Sequence, residues 1–203
     1  MHSSDAMKNL ERVTKTPLLD SLGAMFESAG YELALVGGPV RDAILGRVAP
    51  DIDLTTNATP EQILEVIKGK VDTHWEIGKE FGTIGCRIGD NQIEITTYRT
   101  DKYDVDSRKP EVKFGTDLKH DLQRRDFTVN SMALTLPARE FVDPFGGLRD
   151  LGDKVLKTPG KPEDSFGDDP LRMLRGARFA SQLGFEIEPA TFEAMQSMRQ
   201  RLE

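Results

Sequence analysis

The feature that most constrains the fold is a pair of glycines, Gly37 and Gly38, between two elements of different periodicity. The apolar run before them, Tyr31–Val36, is typical of a buried strand, and the stretch after them, Pro39–Leu45, has helical character and ends at a glycine. A second strand is predicted at Asp51–Thr56. A strand, a glycine turn, a short helix and another strand predict an α/β or α+β chain.

The rest of the chain continues this alternation. Further helices are predicted at 17–29, 59–68, 117–133, 168–183 and 189–202. Further strands are predicted at 83–88, 92–99 and 140–144, the first two joined by a hairpin turn at 89–91. A polar, charged loop is expected at 101–115 and a turn region at 145–152.

This order of elements indicates two units. We expect a head at residues 8–157 and a mainly helical extension at 158–203, with the boundary near Thr158–Ser165. The polar segment 1–7 is set aside from the fold. The sequence contains no internal repeat or low-complexity tract.

Composition excludes global disorder but leaves the partner open. The 203 residues are 37% hydrophobic, which is enough to build a core. The formal net charge of −7 argues mildly against nucleic acid as a partner, because phosphate binding normally requires a basic surface. That objection weakens if the basic surface lies elsewhere in a longer protein, and a metal-dependent site needs carboxylates whatever the net charge.

The cysteine count and the hydropathy pattern bound the cellular context. Cys86 is the one cysteine, which excludes an intramolecular disulfide and a Cys-rich zinc site, and its strand context predicts a buried side chain. Trp75 is interpreted as a packing residue. No apolar run approaches the ~18 residues of a membrane-spanning helix and no signal peptide is visible, so we expect a cytoplasmic protein without a membrane partner.

The glycine pair and the acids that follow it suit the binding of a triphosphate. Gly37 and Gly38 let the backbone approach a phosphate closely at the start of a helix, and Arg41 adds a fixed cation. Asp51 and Asp53 are alternate residues of a strand, so their side chains point to the same face.

Two neighbouring carboxylates repel each other unless cations lie between them. Two Mg²⁺ ions about 3.5–4 Å apart would compensate this repulsion, activate a 3′-hydroxyl and steady a pyrophosphate leaving group. Glu94, on a later predicted strand, is the third candidate for this site. An isolated Asp-x-Asp is more often a solvated strand edge, but the glycines and Arg41 favour a metal site here.

Two further motifs carry arginines next to acids. In the first, Arg124 and Arg125 suit a triphosphate and Asp126 suits ribose hydroxyls; the alternative is a salt-bridged helix start. In the second, a helix is expected to place Asp169 beside Arg172, because residues three apart are neighbours on a helix. Such a pair suits the Watson–Crick edge of a base, and the alternative is a surface ion pair of little energetic value.

Arg175 and Arg178 continue the series at the same spacing of three. Three motifs of this chain resemble, in order and spacing, those of bacterial (class II) tRNA nucleotidyltransferases and related bacterial poly(A) polymerases. They are LVGGPVRD followed by DIDLTT, then RRDFTVNSMA, then DDPLRMLRGARFASQLGF. The resemblance covers about residues 35–185. It implies an α+β, DNA polymerase β-like nucleotidyltransferase head, a mixed sheet with flanking helices, followed by a helical neck.

The resemblance also implies roles for the residues of these motifs. Asp51 and Asp53 would hold the metal ions, and Asp169 with Arg172 would select C or A by hydrogen bonds to the base. The residues implied to contact the triphosphate, the sugar or their surroundings are Gly38, Arg41, Arg125, Asp126, Arg175 and Arg178. The motif departs from the family at Asp168, where a glutamate is more usual.

The implied activity is transfer of CMP and AMP from CTP and ATP to the 3′ end of tRNA without a template. Alternatives are CC addition, A addition or poly(A) synthesis, and the full length of the 101–115 loop favours an enzyme that adds the terminal A. A catalytically silent nucleotide- or RNA-binding module, and an enzyme that modifies a protein or an antibiotic, are alternatives of other classes. Family members generally continue into helices that grip tRNA, so weak tRNA affinity is expected here; no protein partner is evident.

Overall fold

The structure is a computed structural model that describes residues 2–102, 111–115 and 117–202. The helices are α1 (Ser3–Thr14), α2 (Pro17–Ser28), α3 (Gly38–Ile44), α4 (Pro60–Ile67), α5 (Leu118–Gln123), α6 (Gly147–Asp153), α7 (Pro162–Asp168), α8 (Leu171–Leu183) and α9 (Pro189–Ser197). Short 3₁₀ helices lie at Lys79–Phe81, Thr128–Asn130 and Arg199–Leu202. Within the described residues, none of the helices has the length and apolar character that crossing a membrane requires.

The strands are β1 (Leu33–Val36), β2 (Ile52–Thr56), β3 (Thr73–Trp75), β4 (Thr83–Ile88), β5 (Asn91–Thr97), β6 (Arg99–Lys102), β7 (Glu111–Phe114), β8 (Ala133–Leu136), β9 (Phe141–Val142), β10 (Val155–Leu156) and β11 (Glu186–Ile187). In the described part of the chain, the central sheet has the order β3-β4-β5-β2-β1-β8-β9. β2 and β5 are parallel and the other neighbours are antiparallel. The predicted α+β head with a mixed sheet is confirmed. β2 has β1 on one side and β5 on the other.

The alternation of residues in β5 decides which face of the sheet is buried. Ile93 and Ile95 are fully buried, whereas Glu94 between them is exposed. Leu22 of α2 and Ile63 of α4 are fully buried in the same cluster. Each such side chain contributes about 1.5–3 kcal/mol when it leaves water. The face that carries Glu94 therefore remains available for polar chemistry.

Cys86 is fully buried in β4, as predicted. Burial raises the pKa of the Cys86 thiol to about 11. Because the thiolate is the reactive form, this cysteine is an inert core residue at neutral pH.

The predicted continuous helix at 117–133 is wrong. It is divided into α5, a 3₁₀ turn and the start of β8. The N–H of Thr128 donates to the carbonyl of Lys157 at 2.7 Å. The side-chain amide of Asn130 donates to Asp126 at 2.9 Å. Asp and Asn side chains compete with the backbone for the hydrogen bonds of a helix. Here the bond from Asn130 to Asp126 and the bond from the backbone of Thr128 to Lys157 take the place of helical hydrogen bonds.

Three other expectations need correction. The predicted loop at 101–115 has paired ends, because β6 and β7 form an antiparallel ladder; its residues 103–110 lie outside the described residues. The turn region at 145–152 contains α6. The segment 1–7 was set aside, yet α1 begins at Ser3 and Ala6 is fully buried.

The predicted neck contains α7, α8 and α9, and Phe166, Met173 and Ala194 form a small core there. α8 also joins the main core, because Phe179 is 9% exposed and belongs to the central cluster. β10 pairs in parallel with β11 across the expected boundary. The division at 157/158 therefore stays a prediction.

Candidate active site

The turn after β1 depends on Gly37. Its φ of 71° and ψ of −132° form a backbone conformation that residues with a side chain rarely adopt. A Cβ atom at Gly37 would stand 3.0 Å from Nη1 of Arg125. The glycine therefore turns the chain into α3 and also leaves room for a guanidinium group above the turn.

Arg41 of α3 is held in a fixed direction. Its Nη1 donates to Oδ1 of Asn130 at 2.7 Å, and its Nε donates to Oδ1 of Asp42 at 2.9 Å. Arg41 is 8% exposed. A guanidinium held at two edges is preorganised for an anion at its remaining surface.

The three predicted carboxylates lie at the start of β2 and on its neighbouring strand β5. Asp53 and Glu94 are direct partners in the parallel ladder, and Asp51 precedes β2. Burial raises the pKa of Asp53; the charge of Glu94 raises it further, Arg125 lowers it and Asp51 again raises it. The charge of Asp53 is therefore only partly compensated by the protein.

These carboxylates fit a hard divalent cation. A carboxylate whose charge is opposed by burial and by neighbouring acids is stabilised by a bound cation. Among the described residues, no group of three or more acidic, His or Cys side chains is gathered closely enough to hold an ion by itself. Mg²⁺ commonly binds one or two protein carboxylates and takes its remaining ligands from substrate phosphates and water. Two aspartates are therefore enough protein ligands for such a site.

A fourth acid, Asp121 of α5, has the opposite environment. It is completely buried, and its Oδ1 accepts from Nη2 of Arg124 at 2.9 Å while its Oδ2 accepts from Nη2 of Arg125 at 3.2 Å. Thr55 of β2 also donates to Oδ2 at 3.4 Å. Burial alone would raise the pKa of Asp121, but Arg125 and Arg124 outweigh it and hold the pKa below its ordinary value. Asp121 thus directs both arginines of the second motif.

Asp126 lies inside the protein rather than on its surface. Its Oδ1 accepts from the N–H of Phe127 and from Asn130, and its Oδ2 accepts from Nε of Arg175 at 2.8 Å. Nη2 of Arg175 lies 2.7 Å from the same oxygen. The structure therefore shows Asp126 as the anchor of an arginine on α8, and its contact with a ribose stays a prediction.

The expectation that one helix places Asp169 beside Arg172 is wrong, because Asp169 lies between α7 and α8, although both residues line the same cleft. Asp169 precedes α8 with an extended backbone, and its Oδ1 accepts from the N–H of Leu171 at 2.9 Å. Arg172 is 8% exposed; its Nη1 donates to Oγ of Ser165 at 3.0 Å and its Nη2 to the carbonyl of Arg124 at 2.6 Å. Asp169 is the helix-start acid, because Pro170 cannot continue α7.

Phe179 is surrounded by arginines from both the head and the neck. Its ring centre lies 5.5 Å from the guanidinium carbon of Arg41, 5.3 Å from that of Arg175 and 5.1 Å from that of Arg178. Phe127 packs edge-to-face against the same ring with centroids 6.2 Å apart. Each contact is a cation–π interaction, which favours a cation over the ring.

These elements enclose a cleft of about 590 Å³. The predicted residues that line it are Gly37, Gly38, Arg41, Asp51, Asp53, Arg125, Asp126, Asp169, Arg172, Arg175 and Arg178. Glu94 is outside the lining and adjoins it through its ladder partner Asp53. The cleft thus brings arginines from the head and the neck opposite two aspartates, a distribution that suits a polyanion bound with cations.

Sequence reasoning missed Asp121, Asn130 and Phe179. Asp121 stands three and four residues before the two arginines, a spacing at which helical ion pairs form, and this was an available signal. Asn130 and Phe179 lie inside two of the motifs, but the sequence did not indicate their roles, since each contacts Arg41 only through the fold.

A mixed sheet with Asp53 on a central strand, Asp51 just before that strand and an arginine-lined cleft beside them defines the chain as a nucleotidyltransferase head of the DNA polymerase β type. The chain belongs to the family of the poly A polymerase head domain, whose model matches residues 33–157.

Known proteins similar to this chain are CCA-adding enzymes. The CCA-adding enzyme of Bacillus subtilis (strain 168) is 46% identical over 168 residues, which are 82% of this chain and 41% of that protein. The crystal structure of the Bacillus stearothermophilus CCA-adding enzyme in complex with CTP has a TM-score of 0.76 and 35% identity, over 89% of this chain and 43% of that one. A tRNA nucleotidyltransferase complexed with a primer tRNA and an incoming ATP analog has a TM-score of 0.72 and 33% identity, over 88% of this chain and 50% of that one. The chain therefore spans half or less of the length of these relatives.

Proposed function

We propose that this chain is the catalytic head and base-selecting neck of an enzyme that transfers CMP and AMP from CTP and ATP to the 3′ end of tRNA, building or repairing the CCA terminus. The observation that carries the proposal is the single cleft in which Asp51 and Asp53 face arginines from both units. The similarity to CCA-adding enzymes supports it. We also expect such an enzyme to act in the cytoplasm.

Asp51 and Asp53 are the proposed ligands of two Mg²⁺ ions, with Glu94 beside them. The ions, when bound, would polarise the attacking 3′-hydroxyl and balance the charge on the leaving pyrophosphate. Asp51, Asp53 and Glu94 supply the negative charge that attracts the ions; burial, and then the charges of Glu94 and Asp51, raise the pKa of Asp53. Glu94 adds to this charge without lining the cleft.

The arginines are proposed to hold the triphosphate. Arg125 lies above Gly37, and Arg41 is fixed by Asn130 and Asp42. Guanidinium groups bind phosphate oxygens with two parallel hydrogen bonds, which orients the triphosphate as well as binding it. A triphosphate fixed in this way presents its α-phosphorus to the aspartate side of the cleft.

Asp169 and Arg172 are proposed to select the base. A carboxylate offers acceptors and a guanidinium offers donors, so a base that leaves either unpaired in a closed site binds more weakly. Arg172 is rigid because Ser165 and the Arg124 carbonyl hold it. No nucleic-acid template is needed for this selection.

Poly(A) synthesis or A addition is the second candidate, favoured by the poly A polymerase head model that matches residues 33–157. The loop whose length favours addition of the terminal A includes residues 103–110, which lie outside the described residues. Selection between CTP and ATP distinguishes these functions.

The experiment is calorimetric titration of the chain with CTP, ATP, UTP and GTP in the presence of Mg²⁺. We expect CTP and ATP to bind at least about 10-fold more tightly than UTP and GTP. Arg172→Ala should remove this preference, whereas Arg149→Ala should keep it, because Arg149 is an exposed arginine outside the cleft. Selection of ATP alone would favour the second candidate, and equal binding of all four nucleotides would contradict base selection by the neck.

A further inference from the structure

One row of side chains crosses four strands of the central sheet. Asp53 of β2 is opposite Glu94 of β5, Glu94 is opposite Gly85 of β4, and Gly85 is opposite Trp75 of β3. Residues directly opposite each other in neighbouring strands point to the same face of a sheet. Trp75 therefore lies on the same face of the sheet as the two carboxylates, and Gly85 is the residue between Trp75 and Glu94.

The indole of Trp75 lies flat on Gly85. A Cβ atom at Gly85 would overlap Nε1 and Cε2 of the indole equally and Cζ2 slightly less. A point placed in this way lies above the face of the ring, because a point in the ring plane outside the Nε1–Cε2 bond would be closer to Cζ2. One face of the indole thus covers Gly85, and the residue as a whole remains partly exposed.

The chemistry of the cleft assigns this surface to one reactant, if the proposed function holds. The triphosphate arginines lie on the β1 side of β2, above Gly37. In phosphoryl transfer the attacking and leaving oxygens are roughly in line across the phosphorus. If pyrophosphate leaves toward the β1 side, the attacking hydroxyl must approach from the β5 side, where Glu94, Gly85 and Trp75 lie.

We propose that Trp75 is a stacking surface for a base at the 3′ end of the RNA primer. Aromatic side chains bind single-stranded RNA by stacking on the face of a base, and this contact tolerates different bases. That tolerance suits a primer whose last base changes at each addition. The indole over Gly85 is about one strand spacing, ~5 Å, from the strand of Glu94, so a stacked base would hold its ribose near the carboxylates.

Arg87 supplies a cation next to this surface. It lies two residues after Gly85 in β4, so it points to the same face, and it is exposed. Within the described residues, the guanidinium of Arg87 makes no hydrogen bond or ion pair, so it is available for a phosphate of the primer backbone. The single tryptophan and this arginine form a small platform outside the nucleotide cleft.

The test uses the fluorescence of Trp75, which is the one tryptophan of the chain. The chain is titrated with a tRNA acceptor-stem hairpin that ends in CC, and with the same hairpin whose last nucleotide is abasic. We expect saturable quenching by the first RNA and little or none by the second, because quenching requires a stacked base. Equal quenching by both would overturn the proposal.

Variants give a second readout through the anisotropy of a fluorescein-labelled hairpin. Trp75→Leu should weaken RNA binding roughly 5- to 150-fold, while Trp75→Phe should stay within about threefold of the parent chain because it keeps a stacking face. Ile77→Ala is the matched control, since Ile77 is an exposed apolar neighbour at 87% exposure and lies outside the row. Unchanged binding by Trp75→Leu would overturn the proposal.

Calorimetry with CTP separates this proposal from the proposed function. All of these variants should bind CTP as the parent chain does, because Trp75 does not line the nucleotide cleft. Nucleotide selection without any effect of Trp75 would refute the stacking surface alone. Stacking of the RNA without nucleotide selection would refute the proposed function and leave Trp75 as an RNA-binding residue.

Discussion

Asp53 and Asp121 are two carboxylates near the same strand with opposite electrostatic environments. Asp53 is on β2, and Asp121 of α5 accepts a hydrogen bond from Thr55 of that strand. Burial and neighbouring acids raise the pKa of Asp53, whereas two arginines hold the pKa of Asp121 below its ordinary value despite burial. Burial is common to both, so the difference lies in the neighbours.

The comparison shows which acid is structural and which is available for a ligand. Asp121 has its charge balanced inside the protein, and its hydrogen bonds aim Arg124 and Arg125. Asp53 gains only partial compensation from Arg125 and is repelled by Glu94 and Asp51. A divalent cation would relieve Asp53 and would offer nothing to Asp121.

The largest effect is expected for Asp53→Asn. Loss of a metal ligand should reduce nucleotide transfer at least about 1,000-fold, since metal ions contribute several kcal/mol to such a transition state. The same change should raise the melting temperature at pH 7 without divalent ions. The folded pKa of Asp53 is raised, so its charge costs stability once the pH rises above the ordinary value near ~3.9, and Asn removes that cost.

Thermal unfolding with and without Mg²⁺ checks this prediction. Mg²⁺ should raise the melting temperature of the parent chain more than that of Asp53→Asn, with about 2–4 °C for each kcal/mol gained. An Asp53→Asn chain that is less stable than the parent in the absence of divalent ions would show that the carboxylate is compensated after all.

The next effect is expected for Asp121→Asn, in the opposite direction for stability. Removing the charge leaves Arg124 and Arg125 without their buried partner, which typically costs about 3–5 kcal/mol. Asp121 has a lowered folded pKa, so its contribution is fully present above the ordinary value and is lost as the pH falls through the folded value.

Urea unfolding at neutral and acid pH measures this difference. The parent chain should lose stability as the pH falls below about 4, whereas Asp121→Asn should lose less, so the gap between them narrows. A gap that stays constant down to pH 2 would mean that the arginines stabilise some group other than Asp121.

The smallest effect is expected for Phe179→Leu, which changes how arginines are held without changing charge. Three cation–π contacts of about 0.5–1 kcal/mol each position Arg41, Arg175 and Arg178. We expect the affinity for CTP to fall about 3- to 30-fold. Phe192→Leu on α9 is the control, because Phe192 is 47% exposed and outside the cleft; equal losses in both variants would assign the effect to general packing.

The sequence determined those elements that local physics dictates. The helix after Thr59 was predictable because Thr59 and Gln62 form a capping box with Pro60 in the first turn. The hairpin of β4 and β5 was predictable from two runs with a period of two on either side of a turn. The motifs that resemble the family are local too, and the family model covers the first two of them.

Only the tertiary structure decided the partners of Arg172 and the position of Trp75. The period of a helix predicts Asp169 beside Arg172, but Pro170 ends that geometry and Arg172 instead reaches Ser165 and the Arg124 carbonyl. Trp75 was interpreted as a packing residue, and strand register alone brings it into the row of Asp53. The interaction energy of a charge or a ring depends on the groups around it, and for Arg172 and Trp75 some of those groups are distant in sequence. Spacing along the chain therefore identifies candidate groups, and the fold decides such partners.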